Sequence, residues 1–127
     1  MKVYKSNNAS QPPMVSLEAE EGTVYKIGQA LKIVDGKATP TTDKPTYISV
    51  ENVIGKSGEQ LAAIRVSDEY EYKAALTAKG TALKIGDKVT IASDCVSVTA
   101  TITSGICEIT GFETDQKNIG DNIMFRL

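Results

Sequence analysis

A chain of 127 residues with a formal net charge of −2 has the length of one domain, and at that size about two-thirds of the unfolded surface can be buried without a metal or a disulfide to complete the fold. Its 14 Lys and Arg against 16 Asp and Glu are mixed along the sequence, which excludes the basic footprint of a nucleic-acid binder or of an anionic-membrane binder. No apolar run nears the ~20 residues of a membrane span, and Met1 to Asn8 lacks the apolar core of a secretory signal, so the chain is expected to be made and kept in a cytoplasm.

In chain order, residues 1–16 are polar and interrupted by Pro12-Pro13, and they read as a flexible, extended N-terminal arm ahead of one β domain over 17–127. Within the arm, Met14, Val15, Ser16 and Leu17 are the natural residues to add a strand to a partner's sheet, the alternative being a frayed terminus. Val24, Leu31, Ile33 and Val34 mark short strands leading to Asp35-Gly36, a favoured hairpin dipeptide. Lys37 to Pro45 reads as a loop by composition. Strands follow over Tyr47 to Asn52 and Leu61 to Val66, separated by the polar turn Gly55 to Glu59, with Ala62, Ile64 and Val66 sharing a face. Residues 69–76 alternate strictly, which predicts a half-buried strand. The strongest strand signal is Val96, Val98, Ala100 and Ile102, expected inward, alternating with Ser97, Thr99 and Thr101, expected outward. Ser104-Gly105 turns the chain back into Ile106 to Phe112, and a last strand covers Ile123 to Leu127. Short strands at this spacing predict a small β-barrel or sandwich.

Three segments share the form Ile-Gly-[Asp/Gln]-x-apolar-x-apolar, beginning at Ile27-Gly28-Gln29, Ile85-Gly86-Asp87 and Ile119-Gly120-Asp121. Glycine is free to take positive φ and the following side chain can accept backbone N–H groups, so Gly28, Gly86, Asp87, Gly120 and Asp121 are expected to be structural corners that launch strands. The first two copies, with the residues after them, also read as an internal pseudo-repeat.

Chemistry is sparse. With no histidine, the Ser-His-Asp and Cys-His nucleophilic systems are absent, and two thiols cannot complete a zinc shell unaided. Cys95 and Cys107 flank a turn and could face each other as a disulfide, but buried free thiols are the expectation in a cytoplasm. The carboxylate groups Glu18, Glu20, Glu21 and Asp68, Glu69, Glu71 read as solvated strand faces, since no tryptophan and few aromatic residues are available to line a sugar groove. Gly55-Lys56-Ser57-Gly58 lacks the upstream glycine of a phosphate loop, and Asp35, Gly36 and Asp43 do not space as a calcium loop. The five tyrosines lack the basic groove that base stacking needs. No enzyme, cofactor or metal is expected.

The stretches Gly28 to Thr39, Lys44 to Ile48, Ile64-Arg65-Val66 before Glu69-Tyr70-Glu71-Tyr72, and Leu83 to Thr90 resemble, in order and content, the head decoration or head fibre proteins encoded beside capsid genes in tailed phages and prophages of Gram-positive bacteria. The resemblance covers most of the chain beyond residue 16. It implies a β-barrel-like, β-tulip-like body at the virion surface, often a homotrimer, that binds the lattice of the major capsid protein through an N-terminal arm. The other reading of the residues is a small β-barrel adhesion or binding module in which loop 35–46 or 55–60 contacts a host glycan or protein.

Overall fold

Short alternating apolar runs broken by Gly, Asp and Ser turns can bury themselves only by pairing edge to edge. The computed structural model describes residues 1–6 and 12–127, and those residues form twelve strands and no helix. The strands are β1 (Lys2–Ser6), β2 (Met14–Ala19), β3 (Val24–Tyr25), β4 (Ala30–Val34), β5 (Lys37–Pro40), β6 (Tyr47–Ser49), β7 (Val53–Ile54), β8 (Gln60–Arg65), β9 (Tyr70–Ala75), β10 (Lys88–Val89), β11 (Cys107–Phe112) and β12 (Asn122–Arg126). The class is therefore all-β. Strands β2-β5-β4-β6-β8 close into a barrel, β1-β9-β12-β11-β10 form a five-stranded sheet, and β3 and β7 make a small ribbon.

Two cores result, and they share a wall. Ala19, Tyr25, Leu31, Ala38, Leu61 and Ala63 fill the barrel, with Val15, Leu17 and Tyr47 packed against them. The larger core lies between barrel and sheet and holds Ile48, Tyr72, Leu76, Val89, Val98, Ile109, Ile123 and Phe125 among others. Along β4, β6 and β8, neighbouring residues face opposite cores: Ala30 and Leu31, Ile48 and Tyr47, Ile64 and Ala63. Such strands are apolar on both sides, which is why Leu61-Ala62-Ala63-Ile64 is a continuous apolar run with no exposed alternate face. Ala62, Ile64 and Val66 share the face toward the larger core, with Ile64 in it and Val66 packed against it, while Leu61 and Ala63 supply the barrel face.

The N-terminal arm is corrected. β1 pairs antiparallel with β9 from Lys2↔Lys73 to Ser6↔Tyr70, and Met14, Val15, Ser16 and Leu17 belong to β2, paired with β8. Edge strands tolerate lysine, a proline-led start and one polar face, so the polar composition that reads as an arm also suits an edge. The central part of that expected arm, residues 7–11, lies outside the described residues.

Two local expectations fail for other reasons. Lys37–Pro40 is a strand, not a loop, but its inward position is Ala38 alone, which gives no readable period. Residues 96–102 form no strand. Val98 is fully buried and bridges Leu76 and Ile91, while Ile102 is 56% exposed. Asp94 accepts the N–H groups of Val96 and Ser97 at 2.9 and 2.8 Å and the Ser97 hydroxyl at 2.8 Å, which bends the start of the segment. Thr99 Oγ1 then meets Thr90 Oγ1 at 2.6 Å and accepts Thr101 N–H at 3.0 Å. Side-chain oxygens thus take the N–H groups of Val96, Ser97 and Thr101, and N–H bonds to the backbone, at the Ala75 and Thr90 carbonyls, are left at Val98 and Thr99.

Candidate functional site

The three corners have one construction. Gly28, Gly86 and Gly120 have φ of 83°, 96° and 89°. In each, the N–H of the residue after glycine returns to the first turn residue's carbonyl: Gln29 to Lys26 at 3.1 Å, Asp87 to Lys84 at 3.1 Å and Asp121 to Asn118 at 3.0 Å. Glycine in third place with that bond is the type II turn. The side chain then closes the ring, Gln29, Asp87 and Asp121 accepting the N–H of Lys26, Lys84 and Asn118 at 3.2, 2.9 and 2.8 Å. Glycine N–H fixes the turn to a neighbouring segment through Ser49, Ile109 and Leu76 carbonyls at 2.8, 2.9 and 2.8 Å. In the first two copies an antiparallel return follows the corner, β4 to β5 in the barrel and Ile91↔Val98 beyond β10.

Gly28 differs from the other two in its surroundings. Met1 is buried beside it, and the terminal amine donates to the Gly28 and Val96 carbonyls at 2.7 Å each. A Cβ at Gly28 would stand 2.6 Å from the Met1 carbonyl oxygen, whereas one at Gly86 or Gly120 would meet open space. Burial of the amine pushes its pKa down to about 6, with the nearby Asp94 carboxylate opposing that shift.

β2 carries the residues singled out for binding. Met14, Ser16 and Glu18 point outward, and Met14 is 70% exposed. Ala19 N–H donates to the Glu59 carbonyl at 3.0 Å. Counting back by twos in the antiparallel register places the backbone bonds of Leu17 and Val15 on the β8 side, so those of Ser16 and Met14 point away from β8. On that far side, β2 pairs with β5 only at Glu18↔Lys37 and Ala19↔Ala38. Beyond Glu18, toward Met14, the β2 edge has no strand partner among the described residues.

A second feature is drawn from segments far apart in sequence, and no spacing announces it. An open groove of about 740 Å³ is lined by Lys32, Lys44, Tyr47, Arg65, Val66 and Asp68 among others. The pairing that builds it, Tyr47↔Arg65, exists only once β6 lies beside β8. Elsewhere, Cys95 and Cys107 are free, buried thiols, and burial pushes Cys107 up to about 12. Among the described residues, no three His, Cys, Asp or Glu side chains converge as a metal site, and no helix is long and apolar enough to cross a membrane.

Fold and surface together define an all-β protein in which a small closed barrel shares a wall with a second sheet and presents an open stretch of the β2 edge and a side groove. No protein-family model matches the chain, and comparison with curated proteins yields no match.

Proposed function

We propose that this protein is a non-enzymatic structural protein that decorates and stabilises a phage or prophage capsid by binding the lattice of the assembled head, as a homo-oligomer such as a trimer. The observation that carries the reading is the open β2 edge at Met14 to Leu17, beside a body that resembles head decoration proteins over the stretches given above. An extended capsid segment laid on that edge gains backbone hydrogen bonds without needing a particular side chain, and many identical copies multiply a modest contact. The second reading, a small adhesion or binding module, is favoured by one feature, the groove that includes Lys44 to Thr46 from the loop expected to make such contacts.

Co-sedimentation with assembled heads tests the edge. Ser16→Pro removes an N–H that points away from β8 and adds no clash on the paired side, so the fold should survive while shell binding falls by about tenfold. Leu17→Pro removes an N–H on the β8 side and should unfold the barrel. Full shell binding by a folded Ser16→Pro protein removes the edge from the mechanism, and failure of the unaltered protein to bind any head puts the adhesion reading ahead.

A further inference from the structure

The groove beside the barrel has a built arginine. Arg65 lies 5.6 Å over the Tyr47 ring, and its Nη2 donates to the Tyr47 hydroxyl at 3.2 Å. Ring and hydroxyl hold the guanidinium beside Tyr47 and, among the described residues, take one of its N–H donors, which leaves the rest of the fork to a ligand. Lys32 is held by Asp43 at 3.3 Å, and the other ion pair among the described residues is Lys73–Glu113. Arg65 and Lys44 therefore line the groove with no carboxylate of their own.

The remaining walls narrow the ligand. Ile33, Pro45 and Val66 make part of the lining apolar. Asp68 stands on the rim with its carbonyl already taken by Arg126 Nη1 at 2.8 Å and its carboxylate exposed. A phosphodiester linkage has no hydrogen-bond donor to offer Asp68, so a polyphosphate fits this lining less well than a peptide does. A peptide carries both things the groove asks for, carboxylate side chains for the cations and backbone N–H groups for Asp68. At about 740 Å³ the groove falls within the range of ligand sites, and its open form suits a segment lying along it.

We propose that this groove docks an extended acidic segment of a partner protein, with its carboxylates on Arg65 and Lys44 and its backbone N–H groups toward Asp68. Bidentate pairing to a pre-oriented guanidinium would supply the specificity, and Lys44 the long-range attraction. Such docking does not require the partner to be a capsid, so it stands or falls separately from the strand edge.

The test is a titration of the full chain, 15N-labelled, with a capped peptide of alternating Ala and Glu, read by amide shifts. Shifts should map to residues 44–47 and 65–68, and binding should weaken on raising salt from ~0.05 to ~0.5 M. Arg65→Ala and Lys44→Ala should each weaken binding at least about fivefold, and Arg65→Lys, which keeps the charge but loses the fork, should weaken it nearly as much as Arg65→Ala. Both residues are exposed, so the spectra of the variants should show an intact fold. Unchanged affinity in folded Arg65→Ala, shifts elsewhere, equal binding of an Ala/Lys peptide, or no shift at all would overturn the assignment. Tighter binding of an oligogalacturonate than of the peptide would also overturn it, in favour of an acidic sugar.

Discussion

Position 28 distinguishes a glycine needed for its dihedral angle from one needed for space. Gly86 and Gly120 sit at positive φ with room around them, so alanine there should cost about 1 kcal/mol, the usual penalty for an L-residue in that region. Gly28 has the same φ, but its missing side chain also seats the Met1 backbone. Gly28→Ala should therefore cost at least about 2 kcal/mol, because Met1 must shift and the buried amine loses good geometry to its carbonyl partners. Urea titration of the three variants checks the order; equal costs would mean that Met1 adds nothing to the corner. The form of these corners was legible in sequence, since Ile-Gly-Asp names both the positive φ and the closing carboxylate. The seat for Met1 was not, because it joins residues far apart along the chain.

At the scale of elements, period-two alternation is reliable where one face meets a core and misleading where side chains compete for the backbone. Tyr70–Ala75 alternates and is a strand with Tyr70, Tyr72 and Ala74 buried. Residues 96–102 alternate as strictly, yet Asp94 and the threonine hydroxyls take up backbone N–H groups that a ladder would use. Burial then falls on Val98 alone at full depth, so Val98→Asp should cost several kcal/mol by placing an unpaired charge in the larger core. Ile102→Asp should cost under about 1 kcal/mol, because that side chain already meets water. Equal shifts in urea midpoint would restore a strand with both residues inward. β1 and β5 were hidden for the complementary reason, that an edge strand and a strand whose inward residue is one alanine carry almost no apolar signal. The groove was hidden more deeply, because Tyr47 and Arg65 become neighbours only through the β6–β8 register.

For the whole molecule, the larger core takes in Met1 and has Leu127 packed against it, and the consequence is a pH dependence that can be measured. With a free α-amino group at Met1, the folded protein holds that amine against Gly28 and Val96, facing Asp94, Cys107 and Lys2, with burial lowering its pKa from 8.0 to about 6. A neutral amine keeps two hydrogens, enough for both carbonyl partners, so the deprotonated form loses no bond. Between about pH 6 and 8 the unfolded chain binds the proton and the folded one releases it, so stability rises with pH across that window, by on the order of 2 kcal/mol. Below about pH 6 the amine is protonated in both states and contributes no further slope. Asp94 acts at the acid end with a dependence of the same sign. Burial disfavours its charge, but the N–H groups of Ser97 and Val96 and the Ser97 hydroxyl outweigh that and hold its pKa below the ordinary value. Its contribution is whole above the ordinary aspartate range and is lost as pH falls through the lowered value, which releases the turn that presents the Val96 carbonyl to Met1. Urea unfolding at intervals from about pH 3 to 9 should therefore show a loss at the acid end and a separate rise between about 6 and 8. Acetylating the amine should abolish only the upper rise, since nothing remains to titrate there, while lowering stability at pH 8 by crowding the Gly28 seat. A flat profile from pH 6 to 8 in the free-amine protein would show that Met1 remains hydrated in solution and that the corner at Gly28 closes without it.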